Sequence, residues 1–250
     1  MDLNNKVAVI TGAGSGIGEA TVRVFLEAGA RVIAVDLNPE LARTYEGADR
    51  SVLRCVVGDV ADEATSADYV NTALEAFGRI DVIICNAGIA LPKPIHETTP
   101  EEWDRVMGVN VKAIYHAARH VVPVMRKQGG GLFLLTGSIS SVCGMELQGV
   151  YGPSKGAVIQ IARTMAVDYA RDNIRVNAVC PGVVETPLLR RTAAESGDPE
   201  KFLGDLAAAS PIGRNARAEE IARFFQFLAS DHARFFTGSV LMIDGGYSAR

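Results

Sequence analysis

Cysteine is scarce in this chain, and its four copies (Cys55, Cys85, Cys143 and Cys180) form no C-x-x-C pair. A paired redox or zinc motif is therefore absent, and the residues read as buried free thiols of a reducing cytoplasm. No apolar run approaches the ~20 residues needed to cross a bilayer. The first strand-like segment begins at Lys6, so no signal peptide is expected. Positive charge is not in surplus: 25 basic residues face 29 acidic ones, for a net charge of −4. That balance gives no reason to expect nucleic acid or an anionic membrane as partner. Linkers, internal repeats and low-complexity segments are missing as well, so one domain is expected over residues 1–250.

What is present alternates. Lys6–Ile10, Arg31–Val35, Val52–Val57, Ile80–Cys85, Leu132–Thr136, Ile174–Val179 and Val240–Ile243 read as seven short apolar strands, separated mostly by helical patterns. One of those helices starts at Thr99-Pro100-Glu101-Glu102, with threonine as cap, proline at the first helical position and glutamate at the third. Strand–helix alternation predicts an α/β fold: a Rossmann-type, doubly wound, seven-stranded parallel sheet with helices on both faces.

The first strand runs into Thr11-Gly12-Ala13-Gly14-Ser15-Gly16-Ile17-Gly18, and a helix follows. Glycines here let the backbone approach a pyrophosphate, and the helix N-terminus offers free N–H groups. The matching subset is Gly12, Gly16 and Gly18, a G-x-x-x-G-x-G variant of the G-x-G-x-x-G pattern. The second strand ends in Asp36, eighteen residues after Gly18, where an acid should accept hydrogen bonds from an adenosine ribose. A carboxylate ~4 Å from a phosphate charge costs ~4 kcal/mol at an effective dielectric of 20, less when screened. No Lys or Arg lies in the glycine loop, and Leu37-Asn38 supplies no phosphate clamp. The cofactor expected on these grounds is NAD rather than NADP.

Tyr151 and Lys155 are four apart at the start of a long helical pattern that reaches about Asp172, with Ser138 upstream. That spacing stacks phenol and ammonium on one helical face. A tyrosine titrates near 10. An adjacent cation and the positive end of the helix dipole both favour its phenolate, by roughly 1–3 pKa units for the cation. The pair is thus a candidate proton-transfer device. Asp59, Asn86-Ala87-Gly88, Ser138, Pro181-Gly182 and Asp244-Gly245-Gly246 each follow a strand, at the sheet edge where such folds bind ligands.

Over nearly its whole length the sequence resembles the short-chain dehydrogenase/reductase family. The residues that carry the likeness are the loop 11–18, Asp59-Val60, Asn86-Ala87-Gly88, Asn110, Ser138, Tyr151/Lys155, and Pro181-Gly182 with Thr186. The resemblance implies a nicotinamide cofactor and hydride transfer between a secondary alcohol and a ketone. It makes Tyr151 the general acid/base, and Lys155 the residue that holds the nicotinamide ribose and depresses the tyrosine pKa. Ser138 becomes the hydrogen-bond donor to the substrate oxygen, and Asn110 the holder of a water that links Lys155 to solvent. The cofactor would be bound by Gly12, Ser15, Gly16, Ile17, Gly18, Asp36, Asp59, Val60, Asn86, Ala87, Gly88, Tyr151, Lys155, Pro181, Gly182, Val184 and Thr186. Asp59 would meet the adenine and Thr186 the carboxamide. Family members are usually homotetramers, and that state is expected here.

Two details differ from the usual pattern. Pro153 replaces a more common alanine, but in a first helical turn it removes only an N–H with no intrahelical partner. Ser140 and Ser141 compete with Ser138, whose thirteen-residue distance from Tyr151 favours it. Leu188–Ile212 has weak periodicity and several turn residues, so a substrate lid is placed at about 183–212. Leu188, Leu189, Phe202, Leu206, Met145 and Leu147 suggest an apolar substrate pocket. Cys143 either faces substrate or packs its loop. His116 and His120 have metal-ligand spacing without a third ligand, so they are read as a surface or interface face and no metal is expected. The alternatives to an NAD-linked alcohol dehydrogenase are an NADPH-dependent 3-ketoacyl-carrier-protein reductase and a non-catalytic dinucleotide sensor.

Overall fold

The computed structural model describes residues 1–249, without the side chains of Leu188 and Glu195. In chain order the first half holds β1 (Val7–Thr11), α1 (Gly16–Glu27), β2 (Arg31–Asp36), α2 (Leu41–Thr44), β3 (Leu53–Val57), α3 (Glu63–Phe77), β4 (Val82–Cys85) and α4 (Pro100–Met107). The second half holds α5 (Ala113–Gln128), β5 (Gly131–Thr136), α6 (Tyr151–Tyr169), β6 (Ile174–Pro181), β7 (Val184–Glu185), α7 (Pro187–Glu195), α8 (Pro199–Ala208), β8 (Ala216–Arg217), α9 (Ala218–Ala229) and β9 (Val240–Ile243). Seven strands form one parallel sheet in the order β3-β2-β1-β4-β5-β6-β9.

Strand alternation divides the core between two faces. Val7 and Val9 of β1, with Phe133 and Leu135 of β5, pack beneath α3, α5 and α6. Their neighbours Ala8, Ile10, Leu132 and Leu134 pack against α1 and α9 on the other face. Every one of these eight side chains is buried, which is why the strands read as continuous apolar runs. The sheet reverses its winding between β1 and β4, and a crevice opens at the carboxyl ends of those strands.

Thr99 caps α4 as expected. Its hydroxyl accepts from the Glu102 N–H at 3.3 Å, and the Glu102 carboxylate accepts from the Thr99 N–H at 3.0 Å. The helical path does not then run uniformly into α5. Residues Gly108–Lys112 form a wider π turn, and Asn110 lies within it. The weakly periodic segment after Pro181-Gly182 is also more regular than its sequence suggests. It contains α7 and α8, each with proline at the first position behind a side-chain cap, Thr186 and Asp198. Asp-Pro and Thr-Pro act there as helix starts, not breaks. Two further strands, β7 and β8, form a small parallel pair at the two ends of this segment.

Candidate functional site

A cavity of about 380 Å³ fills the crevice. Of the residues singled out in the sequence, its walls contain Gly12, Ser15, Gly16, Ile17, Asp36, Asp59, Val60, Asn86, Ala87, Gly88, Ser138, Tyr151, Lys155, Pro181, Gly182, Val184 and Thr186. Residues from seven separate segments thus converge: six follow strands at the same sheet edge, and the seventh is the start of α6.

Gly18 and Asn110 do not line it. Gly18 acts from behind: a Cβ there would lie 1.9 Å from the Gly12 carbonyl oxygen, so only glycine lets α1 press against the loop. Gly12 and Gly16 adopt φ of +67° and +56°, in the left-handed region that glycine enters without strain. Asn86 stitches the loop to β4, with its side-chain amide donating to the Thr11 carbonyl at 3.0 Å. Asp36 is held by two backbone donors, Gly14 N–H on Oδ2 at 2.8 Å and Asn38 N–H on Oδ1 at 2.9 Å.

Asn110 sits one layer deeper. Its Oδ1 accepts from the Ile89 N–H at 2.9 Å, and its Nδ2 donates to the Ile89 carbonyl and to the Ser154 hydroxyl, both at 2.9 Å. A Cβ added to Gly88 would be 3.3 Å from both Asn110 Oδ1 and Lys155 Nζ, so these two groups approach across a glycine. Both also line a small void of about 10 Å³ behind the cleft.

The three candidate chemical groups meet at one wall. Tyr151 is the first residue of α6, and Lys155 follows one turn later with its Nζ 5.7 Å from the Tyr151 ring centroid. Lys155 donates to the Thr136 carbonyl at 2.7 Å. Ser138 accepts from the Ser140 N–H at 3.1 Å and shares a 3.3 Å hydrogen bond with the Ser140 hydroxyl. Ser141 accepts from the Ser138 N–H at 3.0 Å. Neither Ser140 nor Ser141 reaches the cavity, so among the three serines Ser138 faces it.

Electrostatics departs from the sequence argument. Burial pushes the Tyr151 hydroxyl above its ordinary value, opposed by a hydrogen bond from Ser138. Burial also lowers Lys155 to about 8. The expected depression of the tyrosine is thus not realised: desolvation of the phenolate is the largest influence on it.

The remaining expected residues fall as follows. The cavity reaches Ile89, Ala90 and Val184, but not Leu189, Phe202, Leu206, Met145 or Leu147. The Leu188 side chain lies outside the described residues, and Leu147 is exposed with φ of +56°. The Thr186 hydroxyl caps α7 by accepting from the Leu189 N–H at 3.3 Å. His116 is buried rather than at the surface, while His120 meets Glu63 at 3.1 Å. No group of three metal-ligating side chains occurs among the described residues. The four cysteines are free, with Cys180 fully buried and the others partly so. No helix of the described residues is long and apolar enough to cross a membrane. Sequence reasoning missed Leu37, Gly58, Arg105, Val109, Thr136 and Gly137 in the cavity wall. Arg105 alone among them is charged, and its place within α4 gave no motif to notice.

A glycine loop, a carboxylate after β2 and a tyrosine–lysine helix around one crevice define a dinucleotide-linked oxidoreductase. The family profile described as enoyl-(acyl carrier protein) reductase matches residues 12–248. The cis-4-hydroxycyclohexanecarboxylate dehydrogenase of Sinomonas cyclohexanicum is 40% identical over 248 residues, covering 98% of this chain and 97% of its own. The 3-oxoacyl-(acyl-carrier-protein) reductase of Thermotoga maritima is 39% identical over 250 residues, covering 98% and 99%. The structure of L-sorbose reductase from Gluconobacter frateurii, complexed with NADPH and L-sorbose, superposes with a TM-score of 0.94 at 33% identity, covering 99% and 98%. This chain belongs to the short-chain dehydrogenase/reductase family. It is an oxidoreductase acting on alcohols or ketones with a nicotinamide dinucleotide.

Proposed function

We propose that the protein transfers hydride between NAD(H) and a secondary alcohol or ketone, with Tyr151 as general acid/base. One observation carries this reading: Ser138, Tyr151 and Lys155 share a single cavity with the glycine loop and Asp36. The residues fit the cofactor. Gly12, Ser15, Gly16 and Ile17 leave an anion-sized approach at the N-terminus of α1. Asp36 offers its remaining lone pairs to ribose hydroxyls, and Asp59 and Val60 lie at the adenine end. Asn86, Ala87, Gly88, Pro181, Gly182, Val184 and Thr186 border the nicotinamide half. The family's dinucleotide, when bound, supplies the hydride acceptor or donor.

The chain's own residues handle the proton. Tyr151 takes it from the carbinol oxygen in oxidation and returns it in reduction. Ser138, its own oxygen accepting from the Ser140 N–H, turns its proton from the long 3.3 Å bond to the Ser140 hydroxyl toward the substrate oxygen. Lys155 keeps a positive charge beside the phenol, anchored on the Thr136 carbonyl. Asn110 pins Ile89 and borders the small void shared with Lys155, whose volume is about that of one water. That supports Asn110 as the link between Lys155 and solvent.

Asp36 supports NAD, because no cation pairs with it among the described residues and its orientation is fixed by two backbone amides. The uncharged lining by Ile89, Ala90, Pro181 and Val184 supports an apolar substrate. We assign α7 and α8, within residues 183–212, as the lid of a single domain, and a homotetramer in the cytoplasm as the working form. A second reading, an NADPH-dependent 3-ketoacyl-carrier-protein reductase, gains support from the Thermotoga maritima relative, but Asp36 opposes it. A non-catalytic sensor would have no use for Ser138, Tyr151 and Lys155 at one wall.

The test is a paired activity screen with NAD and NADP over secondary, cyclic, sugar-derived and steroidal alcohols, following reduced nicotinamide by absorbance. Turnover with NAD that falls at least a thousandfold in Tyr151→Phe is expected. Turnover that survives in that variant refutes the role of the phenol. Tight binding without turnover on any alcohol would favour the sensor.

A further inference from the structure

Arg105 lies on α4, far in sequence from the motifs, yet its side chain forms part of the cavity wall beside Asp36, Leu37, Asp59 and Val60. Its Nη1 donates to Asp59 Oδ2 at 2.6 Å. The other carboxylate oxygen, Oδ1, accepts from the Ala61 N–H at 2.9 Å. Asp59 is therefore gripped at both oxygens, once by the turn that follows it and once by α4.

A carboxylate has about four acceptor sites, so roughly two remain, one on each oxygen. The Ala61 amide and the Arg105 guanidinium hold Asp59 below its usual carboxylate range, although burial works against them. The group is thus ionised at neutral pH and can only accept hydrogen bonds. Facing the adenosine end of the cavity, it suits a purine with an amino group at position 6 and repels one with a carbonyl oxygen there.

Resting on the dinucleotide reading above, we propose that Arg105 is the positioning residue of the base pocket: it locks the Asp59 carboxylate in place so that the site selects a 6-amino over a 6-oxo purine. The pair contributes little to folding. The Arg105 side chain is 46% exposed, and exposed ion pairs of this kind add little to stability. A variant at this position should therefore fold, and its effect should fall on recognition.

The experiment measures binding by isothermal titration calorimetry, without turnover. NAD and nicotinamide hypoxanthine dinucleotide, which carries oxygen in place of the amino group, are titrated into wild type, Arg105→Ala and Arg105→Lys. Wild type is expected to prefer NAD by about tenfold, the value of one good hydrogen bond to a charged acceptor. In Arg105→Ala the preference should shrink to about threefold or less, mainly through weaker NAD binding. Arg105→Lys should recover part of it, since an ammonium reaches Asp59 without the planar fork. The pH profile of kcat should stay unchanged in both.

Equal weakening of the two dinucleotides in Arg105→Ala, with a lowered Tm, would mean that Arg105 merely braces α4, and the proposal would fall. Full retention of the preference in Arg105→Ala would overturn it too. Wild type that binds both dinucleotides alike refutes the base selection alone. Wild type that binds neither refutes the dinucleotide reading itself, and this inference with it.

Discussion

Replacing Asp36 by asparagine removes one negative charge from the adenosine end of the cavity and keeps a side chain of nearly the same shape. In the wild type the two carboxylate oxygens accept from the Gly14 and Asn38 amides at 2.8 and 2.9 Å. The amide of the variant can satisfy one of these donors with its oxygen but turns an NH₂ toward the other. A phosphate charge ~4 Å from a carboxylate is opposed by ~4 kcal/mol at a dielectric of 20. Screening at this half-open position leaves about half. Removing the charge should therefore raise kcat/KM for NADP about 30-fold, at 1.36 kcal/mol per tenfold. NAD should lose about fivefold, since hydrogen bonds from ribose to a neutral acceptor are weaker by about 1 kcal/mol. The NADP/NAD ratio then moves by about a hundredfold. Initial rates with each cofactor, followed by absorbance of reduced nicotinamide, give that ratio. Repeating them at low and high salt should show the wild-type bias against NADP weakening as ionic strength rises. A ratio that moves less than about threefold, or a wild type that already favours NADP, would refute the electrostatic argument.

Two further outcomes are expected. Gly18→Ala would put a Cβ 1.9 Å from the Gly12 carbonyl oxygen; the loop must shift, so dinucleotide affinity should fall more than tenfold, with a stability loss of about 1–3 kcal/mol. Calorimetric titration and thermal melting check this, and unaltered affinity would show that the loop does not depend on that contact. For pH, burial raises Tyr151 while Lys155 falls to about 8. Oxidation uses the phenolate, which fills as pH rises, so its rate should climb on the alkaline side. Reduction uses the phenol and should hold level through neutrality before declining. Lys155 loses its charge near pH 8, below the range in which the buried Tyr151 ionises, so Lys155→Met should lower the rate mainly below about pH 8 and leave the alkaline limb in place; a limb that moved upward by about 1 pH unit would show that the ammonium stays charged beside the phenolate.

The sheet was legible because burial on both faces turns its strands into unbroken apolar runs, such as Val7–Ile10 and Leu132–Thr136. The glycine loop and Asp36 were legible because their roles are local: a turn and a strand end. What escaped the sequence depends on groups that meet only after folding. Arg105 becomes a wall residue because α4 lays it beside Asp59, forty-six positions earlier in the chain. The π turn around Asn110 is stabilised by hydrogen bonds to Ile89 and Ser154 that no local pattern announces. The helices α7 and α8 were the exception, since Thr186-Pro187 and Asp198-Pro199 carried a readable start signal that their glycine and proline content obscured.

The tyrosine–lysine pair shows most clearly how spacing and burial divide the work. A separation of four residues guaranteed proximity, but proximity alone would favour phenolate. At about 6 Å and a dielectric of 20, a full charge pair gains roughly 3 kcal/mol, or about 2 pKa units. Burial acts in the opposite sense on each partner, raising Tyr151 and lowering Lys155. The ammonium, moreover, spends its short hydrogen bond on the Thr136 carbonyl, not on the phenol. At neutral pH the pair therefore rests as a protonated phenol beside an ammonium. In such a site any further charge or hydrogen bond has large leverage, because little water remains to screen it. The Ser138 hydrogen bond already pulls the phenol toward ionisation. Such a site is set to give a proton in reduction, and in oxidation it relies on the Ser138 hydrogen bond and nearby positive charge to hold the phenolate.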